Sequence, residues 1–123
     1  MQQTPQIEAS FILDNDGKPK RKLSEKHKHY EVQLSVKDVP GDTYAVTYFL
    51  HPTYYNSVRE VRDRDSNFAE DLTSYGDYEI QAKIRSSEYP LPLRRNLYEA
   101  LAETYTGNTD TGILQALTDI KEN

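Results

Sequence analysis

The side chains that most often carry out enzyme chemistry are sparse in this sequence and are not arranged for catalysis. The chain has no cysteine and three histidines, and no Gly-x-Ser-x-Gly elbow or similar context ties a histidine to a serine and an aspartate. The adjacent carboxylates Glu70 and Asp71, and the nearby Asp63 and Asp65, lie in polar segments, whereas a glycosidase pair needs one carboxyl in an apolar pocket. The sequence therefore predicts that the protein is not an enzyme.

Metal and phosphate sites are also disfavoured by the spacing of the residues that could form them. Asp14, Asp16 and Glu25 match the first, third and last positions of a calcium loop, but a lysine and a proline stand where that loop needs an oxygen ligand and a glycine. His27 and His29 offer only two of the three or four ligands that a metal site requires. None of the five glycines belongs to a phosphate-binding loop motif. We therefore expect neither a metal nor a cofactor.

Tyrosine is the unusual residue of this chain. The sequence has ten tyrosines, three phenylalanines and no tryptophan. A tyrosine offers a rigid apolar face with a polar tip, which suits a partly hydrated recognition surface. Several of them stand in two turns at strand ends, residues 50–55 and 74–78. Because loops at one end of a sandwich cluster, these turns predict either a slot that clamps a flat group or the closed end of an apolar core.

The strands that would position these turns are predicted by period-two alternation. Tyr30, Val32, Leu34 and Val36 fall on one face of residues 29–36, with polar residues on the other. The same alternation predicts a strand over residues 77–84, with Tyr78 inward and Asp77 outward. Aromatic and β-branched content predicts a strand over 43–50, and further strands are predicted over 7–13, 58–62 and 67–72, with turns at 14–17 and 40–41. Six or seven short strands at this spacing predict an all-β fold, an antiparallel β-sandwich.

The period changes towards the C-terminus and predicts helices there. Leu93, Leu97 and Leu101 recur every four residues, which predicts a helix that begins near Pro92. Asp110 is predicted to cap a second helix. The apolar stripe of that helix consists of Ile113, Leu114, Leu117 and Ile120. These two stripes are expected to pack on the sandwich, on each other or on a partner.

Length and charge set the domain organisation and the class of partner. The chain of 123 residues is expected to form a sandwich over 1–89 and a helical extension over 90–123. Its net charge is −5, although residues 18–28 carry six lysines or arginines against Glu25 alone. An acidic surface disfavours nucleic acid and favours a protein or peptide partner. We interpret the basic stretch as a lysine-rich edge that discourages strand addition, with phosphate contact as the alternative.

Three features that bear on cellular location are absent from the sequence: cysteine, a signal peptide and a transmembrane segment. No cysteine is present to form disulfides, which favours a reducing compartment. Residues 1–12 do not resemble a signal peptide, and no apolar run reaches transmembrane length. We therefore expect a cytoplasmic protein without membrane contact.

The two tyrosine-bearing turns resemble motifs of the YEATS family, and its prokaryotic branch in particular. Members carry a strand followed by Leu-His-x-Ser/Thr-aromatic and, about two dozen residues later, a Trp/Tyr-Gly-Glu-Phe-like segment. The matching segments here are Leu50-His51-Pro52-Thr53-Tyr54 and Tyr75-Gly76-Asp77-Tyr78. The strand over 30–34 resembles the family's Trp-x-Val strand, and Val58-Arg59 its Pro-x-Arg segment. The resemblance covers roughly residues 28–85.

The resemblance implies an immunoglobulin-like sandwich that binds an acylated lysine of a protein or peptide between aromatic walls. By that analogy Tyr54 and Tyr75 are the walls. Thr53 and the backbone at Tyr75 hold the acyl amide, and His51 supports the loop. The ligand-binding residues predicted on this basis are His51, Thr53, Tyr54, Ser74, Tyr75 and Gly76.

Three departures from the family pattern keep an alternative function open, the first being that Ser74 stands where the family usually has a glycine. The aromatic residue that eukaryotic readers often have before the Trp-x-Val strand has no counterpart in residues 23–28. The helical tail is not part of the family pattern. The alternative is a structural or protein–protein interaction domain of a larger signalling or conflict-system protein. Such a domain would have no acyl-lysine pocket and would self-associate or bind a partner through its C-terminal helices.

Overall fold

Strands are the main secondary structure of this chain. A computed structural model describes residues 5–23, 28–39, 41–52, 56–74, 76–86 and 91–122. Eight strands and two α-helices are formed by these residues. The strands are β1 (Gln6–Phe11), β2 (Arg21–Leu23), β3 (Lys28–Lys37), β4 (Ala45–Phe49), β5 (Val58–Val61), β6 (Glu70–Ser74), β7 (Glu79–Arg85) and β8 (Leu91–Asn96). The helices are α1 (Leu97–Thr104) and α2 (Thr111–Glu122).

The strands form two antiparallel sheets, which confirms the predicted immunoglobulin-like sandwich. In the first sheet β3 is central, with β1 and then β2 along one side and β6 along the other. The second sheet has the order β5-β4-β7-β8. All pairings are antiparallel, so each sheet can bury one face and leave the other in water.

The core lies between the two sheets and follows the predicted alternation. Tyr30, Val32, Leu34 and Val36 of β3 are all buried. From the second sheet the buried side chains of this core are Val46, Tyr48, Ile80, Ala82 and Ile84. A period of two with one apolar face thus identified the core side of β3 and β7 correctly.

The strand predicted to begin at residue 67 begins only at Glu70. Asn67 and Phe68 both have left-handed backbone conformations, with φ of 60° and 57°. This turn directs the buried Phe68 side chain into the core, and its carbonyl accepts a 2.6 Å hydrogen bond from the Tyr48 hydroxyl. Burial raises the pKa of Tyr48. Two consecutive left-handed residues are incompatible with a strand, so the apolar side chain at this position is a core residue of the turn.

The prediction that a helix begins near Pro92 is wrong for residues 91–96, which form strand β8. The helix begins only at Leu97. This strand pairs with β7, with Leu93 opposite Ala82. A spacing of four residues is even, so Leu93 and Leu97 fall on one face of a strand as readily as on one face of a helix. Pro92 is tolerated because β8 is an edge strand, where a missing N–H disrupts no ladder. The sandwich therefore extends to Asn96, beyond the boundary expected at residue 89.

The two helices close one side of the sandwich. Leu97 and Leu101 of α1 are fully buried in the same core as the sheets. The Thr104 hydroxyl at the end of α1 donates a 2.6 Å hydrogen bond to the carbonyl of Ala9 in β1. Helix α2 buries Ile113, Ala116, Leu117 and Ile120, whereas Leu114, predicted in the same stripe, is exposed. The stripes that suggested self-association are thus used largely within the chain.

Helix α2 is anchored at both ends by side chains. The Asp110 carboxylate accepts hydrogen bonds from the backbone N–H groups of Gly112 (2.9 Å) and Ile113 (3.2 Å), which confirms the predicted cap. Near the other end the Tyr30 hydroxyl donates a hydrogen bond to Asp119. Burial, followed by this contact with Asp119, raises the pKa of Tyr30 to about 12. Neither described helix combines the length and apolar character needed to span a membrane.

Tyr30→Phe is expected to reduce the loss of stability at high pH. The folded protein holds Tyr30 protonated up to a pKa of about 12, above the usual tyrosine value of about 10. The raised pKa stabilises the fold below about pH 10, and this contribution, about 2 kcal/mol, is lost as the pH rises towards 12. Urea unfolding at about pH 9 and about pH 11.5 measures the difference.

The matched control is Tyr44→Phe, which removes an exposed hydroxyl. The chain with Tyr44→Phe should lose as much stability as the unmodified protein over this pH range. Tyr48 and Tyr105, whose pKa burial also raises, remain in every variant, so part of the loss persists. An identical pH dependence in Tyr30→Phe and in the unmodified protein would contradict the prediction.

Candidate functional site

The two turns predicted to form a site lie at the same end of the sandwich. The turn over residues 75–78 connects β6 of the first sheet to β7 of the second. Phe49, the last residue of β4, pairs with Gln81 near the beginning of β7. The loop over residues 50–57 therefore leaves β4 beside the turn that precedes β7. Because Tyr30 pairs with Ser74, the beginning of β3 lies at this end as well.

A direct ring contact joins the two turns. The imidazole of His51 packs edge-on against the ring of Tyr78, with the ring centroids 6.0 Å apart and the planes at 75°. His51 is exposed and Tyr78 is half-buried. Tyr78 precedes β7, packs against the core as the inward position predicted for it requires, and also supports the histidine of the neighbouring loop.

Ser74 and Gly76 form the rigid part of the second turn. The Ser74 hydroxyl donates a 2.7 Å hydrogen bond to the carbonyl of Gly76 and accepts a longer one, 3.4 Å, from the Gly76 N–H. Both residues are buried. A hydroxyl that satisfies backbone groups within its own turn is a typical serine turn motif. In this structure Ser74 therefore supports the turn from inside.

Arg59 fixes the first loop to the opposite sheet. Its Nε–H donates a 2.9 Å hydrogen bond to the carbonyl of Asn56, within the loop. Its Nη1 donates to the backbone carbonyl of Asp71 in β6 at 2.9 Å and lies 3.3 Å from a carboxylate oxygen of Glu70. The planar guanidinium presents five N–H donors in a fixed fork, so it can reach partners in the loop and in β6 at once. The loop is further closed by a 2.7 Å bond from the Leu50 N–H to the Ser57 carbonyl.

Asp77 connects the second turn to helix α1. Its carboxylate accepts a 2.9 Å hydrogen bond from the backbone N–H of Tyr98, in the first turn of the helix. The Leu97 N–H donates to the carbonyl of Tyr78 at 2.9 Å. The preceding residue, Asn96, makes no capping hydrogen bond with its own side chain. Asp77 thus takes the role of a helix cap although it is distant in sequence.

Asp77→Ala is expected to lower the free energy of unfolding by about 1 kcal/mol, because the Tyr98 N–H loses its acceptor. Asp77→Asn keeps an oxygen acceptor and should cost only a few tenths of a kcal/mol. Chemical denaturation of the two variants measures the difference. If they are equally destabilised, the negative charge rather than the hydrogen bond matters, and if neither is destabilised, the cap has no energetic role.

The structure describes only part of the predicted ligand-binding set. It brings His51, Ser74 and Gly76 to one end of the sandwich. Thr53, Tyr54 and Tyr75 lie outside the described residues, so the two aromatic walls stay predictions.

The role of Asp77 as a cap of helix α1 was not predicted from the sequence. Its partner Tyr98 is 21 positions away, and no local signal links the two. Only the pairing of β7 with β8 brings them together.

The described residues at this end offer groups that can bind a ligand. His51, Tyr78 and the backbone of the two turns can stack and form hydrogen bonds, but the described residues there include no nucleophile with a general base beside it. The described residues contain no group of three or more histidine, aspartate or glutamate side chains placed to hold a metal ion. His27, one of the two histidines considered as ligands, lies outside them.

The sequence matches a known protein family over more than half of its length. The model of the prokaryotic YEATS domain family matches residues 30–97. No curated protein sequence matches.

Two solved structures of the Yaf9 YEATS domain are similar to this fold. The one recognising an H3K122suc peptide has a TM-score of 0.50 and 14% sequence identity, and the similarity covers 94% of this chain and 93% of that chain. The one bound to H3K27ac has a TM-score of 0.48 and 18% identity, with 74% and 71% covered.

Proposed function

Because the chain belongs to the prokaryotic YEATS family, we propose that it is a non-catalytic binding module that recognises an acylated lysine on a protein or peptide. The proposed ligand contacts are Thr53, Tyr54 and Tyr75. In this proposal His51 supports the loop that carries Thr53 and Tyr54, and the Ser74–Gly76 hydrogen bonds support the turn that carries Tyr75. The proposal rests on family membership and on the position of the two motif-bearing turns.

The observation that carries the proposal is the contact between His51 and Tyr78. It joins the Leu-His-x-Thr-Tyr loop to the Tyr-Gly-Asp-Tyr turn, although 27 positions separate the two rings in sequence. Each turn is also held on its own side, by Arg59 in the first and by Ser74 in the second. Contacts that hold the described flanks of the two turns before binding lower the conformational entropy lost on binding, as expected of a recognition site.

The chemistry of an acylated lysine fits this end of the molecule. The acyl amide is neutral and flat, so aromatic faces can stack on it while backbone groups of the turns form hydrogen bonds with its carbonyl and N–H. The net charge of the chain is −5, which favours approach of a peptide that carries further, unmodified lysines.

The test is a backbone-amide NMR titration with acetyl-lysine, crotonyl-lysine and unmodified lysine peptides of one sequence. We expect saturable shifts confined to residues 50–57 and 74–78 for the acylated peptides only. Shifts of equal size for the unmodified peptide would indicate charge-driven peptide binding without acyl recognition. Absence of shifts at about 1 mM of every peptide would overturn the proposal and favour the interaction-domain alternative.

A further inference from the structure

The basic stretch of the sequence is not used by the proposed reader site, and it forms one wall of a separate groove. This groove has a volume of about 680 Å³ and lies between the β1–β2 connection and helix α2. Lys18 and Lys20 of the connection and Arg21 of β2 line one side of it, and Gln115 lines it from the helix. Such a volume lies within the range of sites for small organic ligands.

The backbone that carries the basic side chains is held in place. The Asp14 carboxylate accepts hydrogen bonds from the N–H groups of Asp16 (2.9 Å) and Lys18 (3.0 Å). The Lys20 N–H donates to the carbonyl of Ile12 at 2.8 Å, and the Glu31 N–H donates to the Lys20 carbonyl at 3.0 Å. The lysines therefore project from a formed hairpin, and little backbone entropy would be lost on binding.

The lining of the groove carries three cationic side chains, of which two are free of ion pairs with other described residues. Lys18 and Lys20 are exposed and form no ion pair with another described residue. Arg21 contacts Tyr30. The carboxylates of the groove are Asp14 and Glu31 in the lining and Asp119, which contacts Tyr30 and Gln115. On a chain whose net charge is −5, the two lysines are therefore the part of the groove that attracts an anion.

The lining combines groups for phosphate with groups for hydroxyls. Ammonium and guanidinium groups bind phosphate oxygens by charge-assisted hydrogen bonds. Carboxylates and amide oxygens accept hydrogen bonds from hydroxyls, and Glu31 and Gln115 offer such acceptors. The Gln115 amide nitrogen donates a 3.0 Å hydrogen bond to Asp119, so the amide oxygen is the group of this side chain that remains to accept a hydrogen bond. One ligand that carries both a phosphate and several hydroxyls matches this set.

We propose that the groove between the β1–β2 connection and α2 is a second binding site, for a small phosphorylated polyol such as a sugar phosphate or a nucleotide. It is independent of the acyl-lysine proposal, because none of the reader residues lines the groove. Lys18 and Lys20 bind the phosphate, and Glu31 and Gln115 accept from the hydroxyls.

The experiment is an amide NMR titration of the full chain with ribose 5-phosphate, AMP, adenosine and inorganic phosphate. We expect saturable shifts at Lys18, Lys20 and Gly112 with ribose 5-phosphate or AMP, and none with adenosine. Binding of both phosphorylated probes identifies the sugar phosphate as the recognised part, and binding of AMP alone identifies a nucleotide. Absence of saturation at about 10 mM of both, or equal shifts with inorganic phosphate, overturns the proposal.

A variant with Lys18→Gln and Lys20→Gln removes the two exposed ammonium groups without opening the core. Affinity for the better phosphorylated probe is expected to fall at least about ten-fold, because charge-assisted hydrogen bonds to phosphate are lost. The matched control is Arg62→Gln, which removes a cation whose side chain is 72% exposed and pairs with Glu60 of β5 in the second sheet. Equal affinities of the lysine variant and the control would assign the shifts to another surface and refute the site.

Discussion

Leu101→Ala in helix α1 is expected to lower the free energy of unfolding by about 3 kcal/mol. Leu101 is fully buried in the core that the two sheets share with the helices. Its helix is fixed to the sandwich on both sides of this residue, by Asp77 at the beginning and by the bond from Thr104 to Ala9 at the end. The surroundings can therefore collapse only partly around the smaller side chain, and a cavity remains. Chemical denaturation followed by circular dichroism measures the change.

The same substitution in the other helix provides the control. Leu114 of α2 is 43% exposed and lies outside the core cluster, so Leu114→Ala should change stability by less than about 0.5 kcal/mol. A large difference between the two variants is expected if the helices complete the core of the sandwich. If the two substitutions lower the free energy of unfolding by the same small amount, α1 does not contribute to the stability of the core.

The strands were predictable where one face is buried and the other is in water. Alternation over β3 and β7 follows directly from the side-chain period of a strand, so the inward residues could be read from the sequence. Strand β4 differs because four of its five residues are buried, and its position was predicted from β-branched and aromatic content instead. Local composition and period were sufficient for these elements.

The wrong or missing predictions share one physical cause. In each case the structure of the segment is decided by a contact with a residue that is distant in the sequence. Leucines four residues apart are consistent with a helix or a strand, and pairing with β7 decides for a strand at residues 91–96. Phe68 is apolar in a strand-like context, and the carbonyl contact with Tyr48 fixes it in a left-handed turn. Asp77 is predicted from the alternation to be an outward strand residue. In the structure β8 brings the beginning of α1 next to it, and its carboxylate accepts a hydrogen bond from the Tyr98 N–H. None of these partners lies within a local window.

The candidate site was predictable as two separate turns, and their meeting was expected only from the sandwich topology. His51 could be selected from its motif, but its support by Tyr78 depends on the pairing of β4 with β7. Ser74 occupies the position where the family usually has a glycine. Its hydroxyl bonds to both backbone groups of Gly76, which a glycine at this position could not do.

Tyr75→Ala is expected to weaken binding of an acylated lysine peptide at least about ten-fold while leaving the fold intact. The proposed role of Tyr75 is one wall of the slot, and an aromatic contact at the centre of a binding site contributes on the order of 1–3 kcal/mol. The flanking residues are fixed independently of the tyrosine side chain, by the Ser74–Gly76 hydrogen bonds and by Asp77 on α1. The turn should therefore persist after truncation, and isothermal titration calorimetry together with thermal unfolding separates the two effects.

Tyr44→Ala supplies the matched control because it removes another tyrosine at the opposite end of β4. Tyr44 is 57% exposed and precedes β4, whereas the reader loop follows that strand. Its removal should leave peptide affinity within about two-fold of the unmodified protein, because it lies one strand length from the proposed slot. If both substitutions weaken binding equally, the peptide contacts a broad tyrosine-rich surface. If neither does, the acyl group is bound elsewhere, and the contact between His51 and Tyr78 serves only to close the end of the core.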